Sequence, residues 1–238
     1  MNIALIGYGK MGKEIEKISI ERGHTVTAKI DMQTEDSFNG EGFAAADVAI
    51  EFTMPDAAYN NFVECFKRNK PVVSGTTGWL HKIDYIEDQC QNHGQTFFYA
   101  SNYSVGVNIL FEINKKLAQL MNGVPGYKVR MEETHHIHKL DSPSGTAITL
   151  AQGIIDNLKD KNSWTEDRNS KEDQIYIEAF REGEVPGIHS VIYESEVDEL
   201  KIYHSAKSRQ GFALGAVLAA EFTAKNKGML GMGDMLKF

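Results

Sequence analysis

Residues 3–15 read I-A-L-I-G-Y-G-K-M-G-K-E-I. An apolar run from Asn2 to Ile6 meets glycines at positions 7, 9 and 12, and Ile15 and Ile18 then recur at helical spacing between charges. The stretch predicts a strand, a tight turn and a helix. A Cβ at Gly7 or Gly9 would keep the backbone away from a pyrophosphate, and Gly12 lets the helix pack closely on the strand. The first turn of that helix, over Lys10 and Met11, aims its N–H groups at the same point. A second strand, Thr25 to Ile30, ends at Asp31, whose carboxylate can accept hydrogen bonds from a ribose diol. Together these residues form a candidate dinucleotide site. Asp31 would repel a 2′-phosphate and Met32 and Gln33 add no cation, whereas Lys10 and Lys29 keep NADPH open, so the cofactor is NADH or NADPH with a leaning to NADH.

Working outward, Ala46 to Phe52, Val72 to Gly75 and Thr96 to Ala100 read as further strands, with a helix over Asp56 to Asn69. Met32 to Gly42 is polar and aperiodic, a loop. Strands alternating with helices predict an α/β fold, a Rossmann-like, mainly parallel sheet covered on both faces. The pattern changes near residue 127. From Tyr127 to Glu133, Val129, Met131 and Glu133 face one way and Lys128, Arg130 and Glu132 the other. Gly145 to Leu158 reads as a helix, and period-two runs follow at 174–181, 189–194 and 200–204. These predict a second α+β domain on an open mixed sheet. The Ala-rich helix over Phe212 to Asn226 would return to the first. The expected division is residues 1–104 with 212–238 for the dinucleotide and 105–211 for substrate and oligomerisation. Ile175, Ile177 and Ala179 are read as material for a sheet-to-sheet interface.

Composition bounds the function. The 238 residues are 42% apolar and 24% charged with 5 prolines, which excludes a disordered or collagen-like chain. Folding at this length hides roughly 70% of the extended surface, so no covalent staples are required. Two cysteines cannot make a disulfide framework, and a reducing, cytoplasmic setting is expected. A net charge of -8 argues against nucleic acid and anionic membranes as partners. No apolar run is long enough for a membrane span, and the N-terminus does not read as a signal peptide.

The remaining signal is E-E-T-H-H-I-H-K-L-D-S-P-S-G-T-A, residues 132–147. His135, His136, His138 and Lys139 follow a strand directly. Adjacent histidines diverge on a strand and no cysteine is near, so His136 and His138 make at most a half-site and no metal is expected. Ser142 or Ser144 can cap a helix that Pro143 helps to start, which leaves Gly145 and Thr146 in a first turn suited to a carboxylate. A cationic loop running into an anion-binding helix end suits a small polyanion. A bound carboxylate would keep a neighbouring imidazolium available as an acid near neutrality. On these residues alone, a dicarboxylate reductase, another NAD(P)H oxidoreductase and a nucleotide-sensing regulator all remain open.

Four segments together resemble the 4-hydroxy-tetrahydrodipicolinate reductase (dihydrodipicolinate reductase) family over almost the whole length. They are T-H-H-I-H-K-L-D-S-P-S-G-T-A at 134–147, V-S-G-T-T-G-W at 73–79, S-N-Y-S-V-G-V-N at 101–108 and H-S-A-K-S-R-Q-G-F-A-L-G-A at 204–216. The resemblance implies NAD(P)H-dependent reduction of a cyclic dicarboxylate in diaminopimelate and lysine biosynthesis. It implies that His135 is the catalytic acid, and that His136, Lys139, Gly145 and Thr146 hold the substrate's carboxylates. Lys139 would also serve the chemistry. Gly7, Lys10, Met11 and Asp31 would line the dinucleotide. Phe52, Thr53, Gly75, Thr76 and Thr77 would lie beside the nicotinamide, and Ser101, Asn102 and Tyr103 would follow the next strand. Arg209 and Phe212 would stand at the domain junction, with Arg209 on the cofactor side. A homotetramer is implied as well. The chain departs from the family in a glycine turn one residue shorter, in Lys10 for Arg, in Met32 where many members have Arg, in Ser101 for Pro and in a short stretch after the second strand.

Overall fold

The structure is a computed structural model that describes every residue except Arg209. In chain order the elements are β1 (Asn2–Ile6), α1 (Lys10–Glu21), β2 (Thr25–Ile30), α2 (Glu41–Ala44), β3 (Val48–Glu51), α3 (Pro55–Phe66), β4 (Val72–Ser74), a 3-10 turn (Leu80–Lys82), α4 (Ile83–Asn92) and β5 (Thr96–Tyr99). Then come α5 (Val105–Met121), β6 (Lys128–His135), α6 (Gly145–Ile155), β7 (Ser163–Thr165), β8 (Gln174–Arg181), β9 (Ile188–Glu194), β10 (Glu199–Ser205), α7 (Gln210–Thr223), β11 (Gly228–Leu230) and α8 (Met232–Leu236). Two compact units result, Met1–Ser104 with Gln210–Phe238, and Val105–Arg209.

The first unit holds a six-stranded parallel sheet in the order β11-β5-β4-β3-β1-β2. Its central strands are buried on both faces, which explains their unbroken apolar runs. Ile3, Leu5, Ile50 and Val73 pack one face against Ile15 of α1 and Ala213, Ala216, Val217 and Ala220 of α7. Ala4, Ile6, Ala49 and Val72 pack the other against Phe62 of α3, Ile86 of α4 and Trp79. The small residues of α7 bring backbones together: a Cβ at Gly215 would stand 1.7 Å from the Tyr103 carbonyl oxygen. The strand order reverses between β1 and β3, so the crevice of the sheet opens at their carboxyl ends, after Ile6 and after Glu51. The loop expected after β2 contains only the single helical turn α2.

The second unit holds a five-stranded mixed sheet in the order β10-β9-β6-β8-β7. β6 runs parallel to β8 and antiparallel to β9. The alternation of β6 is kept, with Val129, Met131, Glu133 and His135 all buried. Helices α5 and α6 cover that face through Leu110, Ala118, Ala147, Leu150 and Ile154. Ile175 and Ile177 lie in this same core. They are therefore not interface material as the sequence suggested, because the protomer's own helices already cover them. Tyr176, Glu178 and Phe180 alternate with them on β8 and are half-buried or exposed. The apolar period of α5, with Val107, Leu110 and Ala118 buried, is interrupted by a buried Asn114 whose amide donates to Leu150 O of α6 (2.9 Å).

Candidate active site

The glycine turn in the first unit has the geometry its residues demand. Gly7 has φ +90°, and a Cβ there would stand 2.1 Å from the Phe52 carbonyl oxygen. A Cβ on Gly12 would stand 2.3 Å from the Gly7 carbonyl oxygen, so this glycine serves the strand–helix contact. Gly9 differs, because a Cβ there would meet no atom of the described residues within 4 Å. It is the cap of α1, which has neither a side-chain cap nor an acidic residue in its first turn. An uncapped helix end behind a glycine with open space before it is the arrangement a pyrophosphate requires, so these residues fit a dinucleotide. Asp31 closes the turn by accepting the Tyr8 N–H at Oδ2 (2.7 Å). Lys29 is paired with Glu16 (2.6 Å), and its ammonium lies over the Tyr8 ring. Lys10 is exposed, while Met11 packs on the core.

Beside this turn, at the ends of β3 and β4, Glu51 is fully buried. Its Oε1 accepts the Thr53 N–H (3.1 Å), the Thr53 hydroxyl and the Thr76 hydroxyl (3.1 Å), and its Oε2 accepts the Ser74 hydroxyl (2.8 Å). Burial pushes its carboxyl above the usual range, against those hydrogen bonds. Gly75 lies against the Phe52 ring, with room for no Cβ. Phe52 packs on Tyr103 (ring centroids 5.5 Å), and Tyr103 donates to Ser74 O (2.7 Å). Trp79 is buried and donates to Thr76 O (2.7 Å). Phe52, Thr53, Gly75, Thr76 and Tyr103 are thus brought together. Thr77 and Ser101 are exposed, Asn102 accepts the Ser104 N–H (2.9 Å), and Phe212 is half-buried on α7. Arg209 lies outside the described residues.

In the second unit the histidine loop is built on a buried carboxylate. Glu133 has no exposed side-chain area. Cross-strand register places it opposite His189 of β9, and places His135 opposite Arg181 of β8. Glu133 accepts the Ser144 N–H (3.0 Å), the Ser144 hydroxyl and Arg181 Nη1 (3.3 Å). His135 Nδ1 is 3.5 Å and His189 Nε2 3.6 Å from its Oε2, and the two rings meet edge to face at 5.0 Å. Ser144 caps α6 by accepting the Ala147 N–H (3.2 Å), which places Gly145 and Thr146 in the first turn as expected. Arg181 also donates to the carbonyls of Lys139 (3.4 Å) and Asp141 (2.6 Å), clamping the loop. Lys139 pairs with Asp141 (2.9 Å) and exposed His138 with Glu184 (2.9 Å), while neither buried His135 nor half-buried His136 has a hydrogen-bond partner for its Nδ1 among the described residues. Gly187 packs against the other edge of the catalytic candidate, since a Cβ there would stand 3.1 Å from His135 Nε2.

Burial opposes the charge on Glu133, but His189, the two Ser144 donors and His135 hold its carboxyl down to about 2. Burial pushes His135 down to about 4, helped by His189, Lys139 and Arg181 and opposed by Glu133. The protein's own groups therefore leave His135 neutral at pH 7. The expectation of an imidazolium near neutrality needs the bound carboxylate as well as the loop. Glu133, His135 and His189 bring three donor atoms within 4.8 Å of one another. Ser144 and Arg181 already occupy the carboxylate, and the guanidinium supplies the positive charge a cation would bring.

Glu51, Glu133, Ser144 as a carboxylate partner, Arg181 and His189 were not singled out from the sequence. The signal for Glu133 was its place on the apolar face of an alternating strand, where a carboxylate is costly unless paired. His189 and Arg181 open and close other period-two runs, and only the strand register joins them to it.

The description "Dihydrodipicolinate reductase, N-terminus" matches residues 1–103, and "Dihydrodipicolinate reductase, C-terminus" matches residues 106–236. The chain is 50% identical over 236 residues to the 4-hydroxy-tetrahydrodipicolinate reductase of Christiangramia forsetii, covering 99% of this chain and 98% of the relative. It is 35% identical over 240 residues to the enzyme of that name from Akkermansia muciniphila, covering 96% and 94%. In fold it resembles the dipicolinate-bound dihydrodipicolinate reductase of Paenisporosarcina sp. TG-14, with a TM-score of 0.77, 20% identity and 98% of each chain covered. By its sequence over both units, the chain belongs to the dihydrodipicolinate reductase family.

Proposed function

We propose that the protein reduces 4-hydroxy-tetrahydrodipicolinate to tetrahydrodipicolinate in the diaminopimelate route to lysine, at the expense of NADH or NADPH. The observation that carries this reading is the loop of His136 and Lys139 beside the capped start of α6, with His135 Nδ1 at ion-pair distance from Glu133. Lys139 and the first turn of α6, at Gly145 and Thr146, would receive the two carboxylates of the ring. A carboxylate so placed raises the proton affinity of His135, adding to Glu133 and against Lys139 and Arg181. His135 then delivers a proton to the ring system, a general-acid contribution of about 10²-fold or more. When bound, a reduced nicotinamide supplies the hydride; the proton and hydride enter the substrate as its hydroxyl leaves as water.

In the first unit, the turn from Gly7 to Gly12 and Asp31 would hold the dinucleotide, and the Glu51-braced Phe52, Thr53, Gly75 and Thr76 would flank the nicotinamide, followed by Thr77, Ser101, Asn102 and Tyr103. The leaning to NADH rests on Asp31 at the end of β2 and on the pairing of Lys29 with Glu16, which draws the nearest strand cation away from a 2′-phosphate. No helix among the described residues is long and apolar enough to cross a membrane. Cys65 and Cys90 are free and buried, which fits work in the reducing cytoplasm. We also propose a homotetramer, to be checked by light scattering.

The test couples the protein to the synthase that makes the unstable ring from pyruvate and aspartate semialdehyde, and follows loss of reduced-nicotinamide absorbance. Oxidation that needs both proteins supports the reaction, with NADH the faster donor. Dinucleotide binding without oxidation would overturn it.

A further inference from the structure

We propose that Glu133 is the positioning residue of this site, one buried carboxylate that holds both the His135 ring and the Ser144 cap starting α6, so that proton donor and carboxylate-binding helix end move as one body. The inference rests on the reading of His135 as acid and of the α6 start as a carboxylate seat. It concerns a residue that neither the sequence motifs nor the substrate-facing groups single out.

Glu133 stands where the elements of the site converge, in reach of β8, β9, the loop and the start of α6. Its side chain is wholly buried on the helix-covered face of β6, where an unpaired charge would not be tolerated. It takes two hydrogen bonds from Ser144, and the same hydroxyl caps α6 through Ala147 N–H and contacts His189 Nε2 at 3.1 Å. On its other side stands His135 Nδ1. The 3.5 Å to Nδ1 is an ion-pair distance without a hydrogen bond, so the carboxylate holds the ring by charge once the ring is protonated, and favours the imidazolium with Nδ1 turned toward Glu133 and Nε2 along the glycine edge at Gly187. Arg181 ties the loop bearing Lys139 to the same oxygen pair. The charged and titratable groups facing His135 are thus Glu133 on its own strand, Lys139 on the loop, Arg181 on β8 and His189 on β9, with His204 on β10 paired across from His189. Glu133 is the single anion among them.

The experiment follows the His135 ring by NMR in protein saturated with pyridine-2,6-dicarboxylate, together with the affinity for that compound. In Glu133→Gln the titration midpoint should fall by about one unit or more, and affinity should drop about tenfold, because the counter-charge that keeps the ring protonated is lost and one of the two acceptor oxygens facing Ser144 and Arg181 becomes a donor. A damaged fold is read separately, from thermal melting of the same variant, because a solvated histidine returns toward its ordinary value of about 6.5 whatever its starting point. A midpoint that holds or rises while the protein stays folded would overturn the proposal. Ser144→Ala keeps the carboxylate and its bond from the backbone N–H, and removes the hydroxyl that joins Glu133 to the Ala147 N–H and to His189. Its affinity should fall roughly tenfold while the midpoint stays within about half a unit, and unchanged affinity would also overturn the proposal. Neither readout requires turnover, so failure of the reduction reading in the coupled assay stays distinguishable from failure here.

Discussion

Three glycines at positions 7, 9 and 12 serve one turn for different reasons, and alanine at each separates those reasons. At Gly9 two small effects oppose. Alanine stiffens the unfolded chain, worth about 0.4–1 kcal/mol, and is a poorer helix cap than glycine by a similar amount. The residue has ordinary extended backbone (φ -77°) and no atom of the described residues near the new methyl. Gly9→Ala should therefore melt within about 1 kcal/mol of the wild type, roughly 2–4 °C at this chain length. Its affinity for NADH should nonetheless fall by about tenfold or more, since the methyl enters the space proposed for the pyrophosphate. At Gly7 the strained φ of +90° costs about 1–3 kcal/mol, and relieving the 2.1 Å approach to the Phe52 carbonyl adds a comparable amount. Gly7→Ala should lose about 2–5 kcal/mol, or roughly 5–15 °C. The assay is thermal melting of each variant beside a fluorescence titration with NADH. If Gly9→Ala binds NADH as the wild type does, the dinucleotide does not rest on this turn, and the assignment of the first unit fails.

Acid stability should track the second site. The folded values of His135 (about 4) and Glu133 (about 2) lie below their unfolded values, so the stability they confer is present above about pH 6.5 and pH 4.5 and is lost as pH falls through the folded values. His135 alone corresponds to about 3 kcal/mol, and denaturant melts of His135→Asn should show a flatter decline between pH 6.5 and 4 than the wild type; identical profiles would refute this. Gly215→Ala must push a methyl into the Tyr103 carbonyl and should cost roughly 3 kcal/mol or more by the same melts, whereas neutrality would mean that α7 can shift freely. Asp31→Ser should raise the NADPH-to-NADH ratio of kcat/KM about tenfold by removing a like charge, and an unmoved ratio would show that Asp31 does not meet the adenosine ribose.

Five of the six strands of the first unit's sheet were legible because each carries its own signal; β11, three residues long at the far edge, was not read as a strand. Ile3–Ile6 is apolar throughout and is followed at once by the glycines, and the strand at Thr25–Ile30 is rich in β-branched residues. Helix α5 escaped notice because a buried asparagine, satisfied only by a carbonyl of α6, interrupts its apolar face. The outward side of β8 was misjudged for a related reason: alternation says that two faces differ and does not say which one the protomer covers for itself. The site divided along similar lines. His135, Lys139 and the helix start are consecutive in the chain and could be read together. Glu133 is two residues before His135 on the same face, yet its meaning depends on His189 and Arg181, more than forty positions away, and is fixed by strand register.

The first unit is assembled from both ends of the chain, and that has a consequence for biosynthesis. Its core lacks Ala213, Ala216, Val217 and Ala220, and its sheet lacks β11, until the last stretch of polypeptide has been made. The intervening unit is continuous and can close while the ribosome still holds the C-terminus. The sheet that begins at residue 2 therefore waits, one edge strand β5 unpaired and the α7 side of its core uncovered, for a helix encoded some two hundred codons later. Truncation of the nascent chain between β10 and α7 should thus yield a folded middle and an unfinished nucleotide-binding end, which marks such products for aggregation or proteolysis rather than partial activity.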